Sequence, residues 1–327
     1  MKHHYLNRFL LILCLLLIGV PSWSQYQMEN LDRGVVATSM GGTKVFISWR
    51  WLGTEPDNIT FNLYRGTTKL NATPLTVSNY TDNAGSTTAT YSVRAVLNGV
   101  EQTGSNPVTP WAQQYLKIPV QAPAGGTTPD GVAYTYNAND ASAADLDGDG
   151  QYEIILKWDP SNSKDNSQSG YTGNTYVDAY KLNGTRLWRI DFGLNIRSGA
   201  HYMDFMVYDF DGDGKAEMMC RTGDGTKDGL GNIIGTASAD YRSTAGYVLT
   251  GPEYISVFNG MTGAVMATSN YIPARGTVSS WGDSYGNRVD RFRAGVAYVD
   301  GQRPTGIFTR GIIPVQWWPP GIGGEGN

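Results

Sequence analysis

Cysteine is almost absent from this 327-residue chain: Cys14 and Cys220 are its only two. Cys14 lies inside an apolar N-terminal run with no lipoprotein context around it. Once such a leader is removed Cys220 stands alone, so an intrachain disulfide is excluded and stability must come from another source. Cys220 sits in an apolar strand pattern, Met218-Met219-Cys220, where a buried and inert thiol is expected. Basic runs are also missing. With a formal net charge of −4, and −6 without the only two early charges, Lys2 and Arg8, the chain is a poor partner for nucleic acid. No long hydrophobic run is present either. The apolar stretch Phe9 to Val20 has 12 residues, short of the about 20 needed to cross a bilayer. Sustained helical periodicity is absent throughout, which argues against a helical fold.

What is present in quantity is glycine, 41 residues, together with 20 Tyr and 9 Trp. That mixture favours a turn-rich, all-β chain. At the N-terminus, Lys2 and Arg8 precede the apolar run, and Ser22-Trp23-Ser24 offers small residues for cleavage before Gln25. Residues 1–24 therefore read as a signal peptide. The expected location is secreted or periplasmic in a bacterium, with no membrane partner after cleavage.

Residues 25–112 contain short alternating strand candidates: Val45 to Trp49, Ile59 to Tyr64, and Tyr91 to Val96 ending at an Asn98-Gly99 turn. Such spacing suggests an antiparallel β-sandwich similar to a fibronectin type III domain, with Trp49 in its core. Residues 107–129 carry five prolines and Gly125-Gly126, which reads as an extended crossing into a second domain over residues 113–327.

In that second domain the chain repeats. One unit opens with the run from Asp145 to Leu156 and continues with Val177 to Trp188; another opens with Asp209 to Cys220 and continues with Ile255 to Met266. A worn third copy begins near Ala297. Each unit is an acidic turn, a strand, a further strand, an Asn-Gly-type turn and another strand, which is the pattern of β-propeller blades. The first two acidic turns are 64 residues apart, longer than the roughly 40–50 of an ordinary blade. Insertions at 159–176 and 223–250 account for the excess.

The acidic turns carry the chemistry. Asp145, Asp147 and Asp149 stand at alternate positions with Glu153 at the ninth, and Asp209, Asp211, Asp213 and Glu217 repeat the pattern. Carboxylates so close repel one another unless a cation lies among them. Ca²⁺ takes about six to eight hard oxygens, which positions one, three, five and nine and a backbone carbonyl at seven would supply. An EF-hand would need Glu at the twelfth position and flanking helices, whereas strands follow here. Mg²⁺ or a plain solvated turn are the other readings. The loop Asp224 to Asn232, with Asp224 and Asp228, offers either a further ion site or an ordinary Asx turn. His201, in Gly199-Ala200-His201-Tyr202, reads as structural when taken alone.

Several runs together resemble one family: Asn139-Asp-Ala-Ser, Lys157 to Gln168, Gly199 to Tyr202, Trp281 to Arg291 and Asp300 to Pro304. They look like bacterial rhamnogalacturonan lyases of polysaccharide lyase family 11, with similarity from about Met28 to Arg310. The resemblance implies a propeller holding several calcium ions. The implied partner is rhamnogalacturonan I, the rhamnose–galacturonate backbone of pectin. It also implies that Asn139 and Asp159, read as flanking the first strand of a blade, contact the sugar. In the implied β-elimination the proton at C5 of galacturonate is removed and the sugar at O4 expelled. Calcium at the uronate carboxylate would stabilise the developing charge, while a basic side chain takes the proton.

The resemblance continues in the family beyond the stretch matching Arg310, whereas residues 311–327 include Pro319-Pro320, which no central strand accepts. The expectation is a fragment of a lyase, with an incomplete propeller, an unassigned base and little activity of its own. Lys157, Arg275 and Arg293 fall in matched runs but are expected to pair with carboxylates. The alternative function is a non-catalytic calcium-binding β-propeller that binds carbohydrate or protein. A glycoside hydrolase would need two opposed free carboxylates, and the acidic turns leave few.

Overall fold

The computed structural model describes residues 29–312. The leader read at 1–24 and the tail from 313 onward lie outside the described residues. No helix among the described residues is long and apolar enough to cross a membrane. Among the described residues all regular elements are strands apart from one short 3-10 turn at Val278–Trp281.

Seven strands form the N-terminal part: β1 (Val36–Gly41), β2 (Lys44–Ser48), β3 (Thr60–Arg65), β4 (Thr68–Lys69), β5 (Asn79–Asp82), β6 (Tyr91–Leu97) and β7 (Val100–Gly104). They pair into two antiparallel sheets, ordered β1-β2-β5 and β4-β3-β6-β7. Val45 and Ile47 from one sheet meet Phe61, Leu63, Tyr91 and Val93 from the other in one buried cluster that includes Trp49. Alternation explains this, since every second residue of a strand faces the same side. The turn between β6 and β7 places Asn98 and Gly99 at φ of 50° and 79°, the left-handed conformation that Asn-Gly accepts at low cost.

The proline-rich stretch after β7 adds only isolated bridges to this unit, such as Thr38 to Trp111. The chain then forms a short pair, β8 (Gly126–Thr127) and β9 (Ala133–Tyr134), before two four-stranded antiparallel sheets. The first contains β10 (Tyr136–Ala144), β11 (Glu153–Pro160), β12 (Tyr176–Tyr180) and β13 (Arg186–Asp191) in sequential order. The second contains β14 (Phe205–Tyr208), β15 (Glu217–Gly223), β16 (Glu253–Phe258) and β17 (Val265–Asn270). A final pair follows, β18 (Phe292–Ala297) and β19 (Thr305–Arg310).

The two four-stranded sheets share one core. Ile155, Val177, Trp188 and Ile190 of the first sheet pack with Phe205, Met218, Cys220 and Phe258 of the second. Leu156 and Trp158 point to the opposite face and join Tyr136 and Tyr180 in a separate cluster. β11 is thus covered on both faces, as its continuous Ile-Ile-Leu run requires. Cys220 is buried, and burial pushes its thiol well above the ordinary range, which fits an inert role.

A buried ionic network ties the second sheet to the final pair. Glu253 on β16 receives Arg221 of β15 at 2.5 Å, Arg275 at 2.7 Å and Arg310 of β19 at 2.5 Å. Asp290 stands 3.9 Å from Arg275 and 3.7 Å from Arg310. Burial alone would raise the Glu253 carboxyl, but the three guanidinium groups outweigh it and hold it at about 2. The rings of Phe292 and Tyr271 cover two of the arginines: Arg221 lies 4.2 Å from Phe292, and Arg310 lies 5.2 Å from Tyr271.

Candidate functional site

Each four-stranded sheet carries an acidic loop between its first two strands, and the two loops match bond for bond. In the first, Asp145 is buried and accepts the N–H groups of Gly148 and Gly150, both at 2.7 Å. In the second, Asp209 accepts those of Gly212 at 2.6 Å and Gly214 at 3.0 Å. Gly148 and Gly150 have φ of 80° and 86°, so the turn needs residues without a Cβ penalty. Glu153 reaches back to the Leu146 N–H at 3.0 Å, and Glu217 to that of Phe210 at 2.9 Å. These bonds bring Asp145, Asp147 and Glu153 to one point, and Asp209, Asp211 and Glu217 to another, with ligand oxygens within 4.8 Å of one another.

Asp149 and Asp213 do not join these points. Both are exposed and accept the backbone N–H two residues on, from Gln151 and Lys215, each at 2.8 Å. The loops also differ in one respect: Asp147 is paired with Lys181 at 2.6 Å. Burial, and then the neighbouring carboxylates, push Glu153 and Glu217 up to about 7. A carboxylate so perturbed is a poor anion until a cation arrives, so the donor sets fit a hard divalent metal.

The loops touch each other and the N-terminal unit. Ala216, beside the second loop, donates its N–H to the Asp145 carbonyl at 2.8 Å. Arg50 donates to the Gly150 carbonyl at 3.0 Å while its guanidinium lies 4.4 Å from the Tyr152 ring centre. Glu29 accepts the Asp145 N–H, and burial first, then the charges of Asp145 and Asp209, raise its carboxyl to about 6. Nothing in the local pattern around Glu29 signals this, because the partners lie more than a hundred residues downstream.

Asp224 and Asp228 are not brought together with further acids among the described residues. Asp224 accepts the hydroxyls of Tyr254 at 3.0 Å and Tyr241 at 2.9 Å. Asp228 accepts the N–H groups of Leu230, Asn232 and Val265 and the amide of Asn232, at 2.8 to 3.0 Å. The Asp228 bonds to Leu230 and Asn232 close a turn, whereas the Asp224 carboxylate is held by tyrosines from distant segments.

Asn139 and Asp159 lie on neighbouring strands. Asn139 is within β10 rather than ahead of the sheet; its polar surroundings hide that exposed strand from a hydrophobic pattern. The pairing jumps from Ala138–Trp158 to Ala141–Leu156, so Asn139 and Asp140 form a bulge opposite Lys157. The Lys157 amine lies 3.5 Å from Asn139 Oδ1, 3.4 Å from Asp140 Oδ2 and 3.6 Å from Asp159 Oδ1. Burial raises the Asp159 carboxyl and Lys157 opposes that rise. Beside this cluster a cavity of about 280 Å³ opens between β10 and β14, walled by Asp140 and Asp204. Arg293 pairs loosely with Asp204 at 3.7 Å, so the cations of the matched runs meet carboxylates as expected. His201 is half-buried, its carbonyl accepts the Phe292 N–H at 3.0 Å, and burial with Arg291 and Arg293 holds its imidazole below the usual value.

Duplicated acidic loops and a polar cluster on adjoining strands define a class of all-β proteins whose carboxylate clusters could hold metal ions. The family is specific: residues 115–315 match the model of the rhamnogalacturonan lyase family 11 C-terminal domain, and residues 26–111 match the rhamnogalacturonan I lyase β-sheet domain. The chain belongs to the family 11 rhamnogalacturonan lyases. It is 63% identical to the rhamnogalacturonan endolyase YesW of Bacillus subtilis over 285 residues, covering 87% of this chain and 46% of that protein. It is 54% identical to the rhamnogalacturonan exolyase YesX of the same organism over 288 residues, covering 87% of this chain and 47% of the other. The YesW crystal structure matches with a TM-score of 0.84 over 88% of this chain and 49% of its own. The Bacillus licheniformis rhamnogalacturonan lyase PL11 matches with a TM-score of 0.84 at 62% identity, over 88% of this chain and 49% of its own. The chain therefore spans about half the length of the curated relatives it matches.

Proposed function

We propose that this chain is part of a rhamnogalacturonan lyase acting on rhamnogalacturonan I by calcium-assisted β-elimination, exported through a leader at residues 1–24. The observation that carries the reading is its likeness, along nearly all the described residues, to two proteins named as rhamnogalacturonan lyases. On this reading residues 25–112 are a fibronectin-like module, and the two four-stranded sheets are successive blades of a propeller. Asp145, Asp147 and Glu153 hold one Ca²⁺, and Asp209, Asp211 and Glu217 another; the oxygen-only donors and raised glutamates support a hard cation there. Calcium, when bound, supplies charge neutralisation for these loops and for a uronate carboxylate. The chain's own residues supply position and sugar contact. The loops fix the spacing of β10 and β11, and likewise of β14 and β15. Asn139 and Asp159 present an amide and a carboxylate to sugar hydroxyls beside the cavity between β10 and β14.

The test is incubation of the chain with rhamnogalacturonan I and calcium, reading both oligosaccharide binding by calorimetry and the absorbance of an unsaturated uronate product. Calcium-dependent binding or product supports the reading. Reducing ends formed without that absorbance would indicate hydrolysis and refute it, and an inert chain with no binding would refute it as well.

A further inference from the structure

The least expected side chain in the first sheet is Lys157. It stands in the middle of β11 and its side chain is only 2% exposed, while Ile154, Ile155, Leu156 and Trp158 beside it on the strand are apolar. Burying an ammonium is costly unless oxygen partners surround it. Three do. The bulge in β10 sets two residues, Asn139 and Asp140, against the single position 157, and alternation along β11 puts Asp159 on the same face as Lys157. The amine is nearly equidistant from all three oxygens, at 3.4 to 3.6 Å. No one partner captures it. Asp159 Oδ1, the oxygen turned toward the amine, is buried and has no hydrogen-bond donor. The Asp159 side chain keeps 11% exposure, so the amine's charge holds the buried Oδ1 in place while a donor approaches the carboxylate through its other oxygen.

We propose that Lys157 is the positioning residue of the sugar subsite, holding the Asn139 amide and the Asp159 carboxylate at a fixed separation and keeping Asp159 an open acceptor for a sugar hydroxyl. The proposal rests on the reading of Asn139 and Asp159 as sugar contacts. The charged groups facing Asp159 are Lys157 on its own strand and Asp140 on the adjoining one. Burial and Asp140 favour the neutral acid, and Lys157 alone opposes them. Removing the amine would therefore do two things. It would free Asn139 and Asp159 to move apart, and it would let Asp159 take up a proton at higher pH, turning an acceptor into a donor. A lysine that merely filled space would do neither.

The experiment is a carbon-13 NMR titration of the whole chain with labelled aspartate side chains, in calcium, with the Asp159 signal assigned by its loss in Asp159→Asn. In Lys157→Met the Asp159 midpoint should rise by about one unit or more. In the same variant oligosaccharide affinity should fall about tenfold or more, and Lys157→Arg should restore part of both. Should Lys157→Met fail to fold, Asp140→Asn keeps the test alive, because the Asp140 side chain is 70% exposed and its loss should lower the Asp159 midpoint. An Asp159 midpoint unmoved in these variants would overturn the proposal, as would unchanged affinity in a folded Lys157→Met. Failure of the unsubstituted chain to bind oligosaccharide would overturn the sugar-contact reading and the role with it. The titration tells that failure apart from a missing tie between Lys157 and Asp159.

Discussion

Glu253→Gln isolates the buried ionic network that joins the second sheet to the final strand pair. The substitution keeps shape and removes one charge, leaving Arg221, Arg275 and Arg310 facing Asp290 as their remaining acid. Glu253 receives three guanidinium groups at 2.5 to 2.7 Å, and Arg221 and Arg310 are 3% and 5% exposed, so solvent cannot replace it. Breaking a buried pair in this way costs about 3–5 kcal/mol. At about 2–4 °C per kcal/mol for a domain of this size, the melting midpoint should drop by roughly 10 °C. The pH dependence has a definite sign. Glu253 is held at about 2, below its ordinary 4.5. Its stabilisation is thus complete above pH 4.5 and fades as pH falls toward 2. The gap between the two proteins should narrow over that window. Thermal melts followed by circular dichroism in calcium at neutral pH provide the assay, with Asp300→Asn as the contrast. Asp300 and Arg303 form an exposed pair, 41% and 71% exposed, so solvent screens it and losing it should move the melting midpoint far less. A Glu253→Gln chain melting within the spread of Asp300→Asn would refute the reasoning.

With calcium stripped by a chelator, Glu153 and Glu217 carry raised values of about 7. A raised carboxylate destabilises the folded state above its folded value and is relieved as pH falls, so the stripped chain should melt higher at pH 5.5 than at pH 8; calcium should flatten that slope. Arg50→Ala should loosen the contact between the N-terminal unit and the first acidic loop by about 1–2 kcal/mol. The Asp32 N–H, bonded to the Gly150 carbonyl at 3.1 Å, should then exchange faster with deuterium, and unchanged exchange would contradict the contact's role.

The alternating segments are readable in the sequence because burial on one face leaves a period of two. Val45 to Ser48 and Tyr91 to Val96 fall within β2 and β6, and the repeated acidic turns open β11 and β15 at Glu153 and Glu217. β10 escapes such a reading because its run Tyr-Asn-Ala-Asn-Asp-Ala-Ser is exposed and polar, so no apolar period marks it. The loops' carboxylates are identifiable as a group, yet which of them converge is not: backbone bonds two residues on draw Asp149 and Asp213 out to solvent. The Glu253 network is also illegible, since Arg221 and Arg310 meet there from positions 32 before and 57 after Glu253. Such contacts follow from how sheets stack, and one-dimensional spacing does not encode them. Lys157 stands out in the sequence only as a cation; its burial and its place opposite a bulge require the strand register.

Calcium titration calorimetry tests the paired-loop account most directly. The unsubstituted chain, first freed of metal, should bind at least one ion at each acidic loop. Asp145→Ala should remove the first loop's ion and Asp209→Ala the second's, each variant keeping the other, because the bonds that position each carboxylate lie within its own loop. A chain that takes up no calcium, or whose calcium uptake survives both substitutions together, would contradict the account.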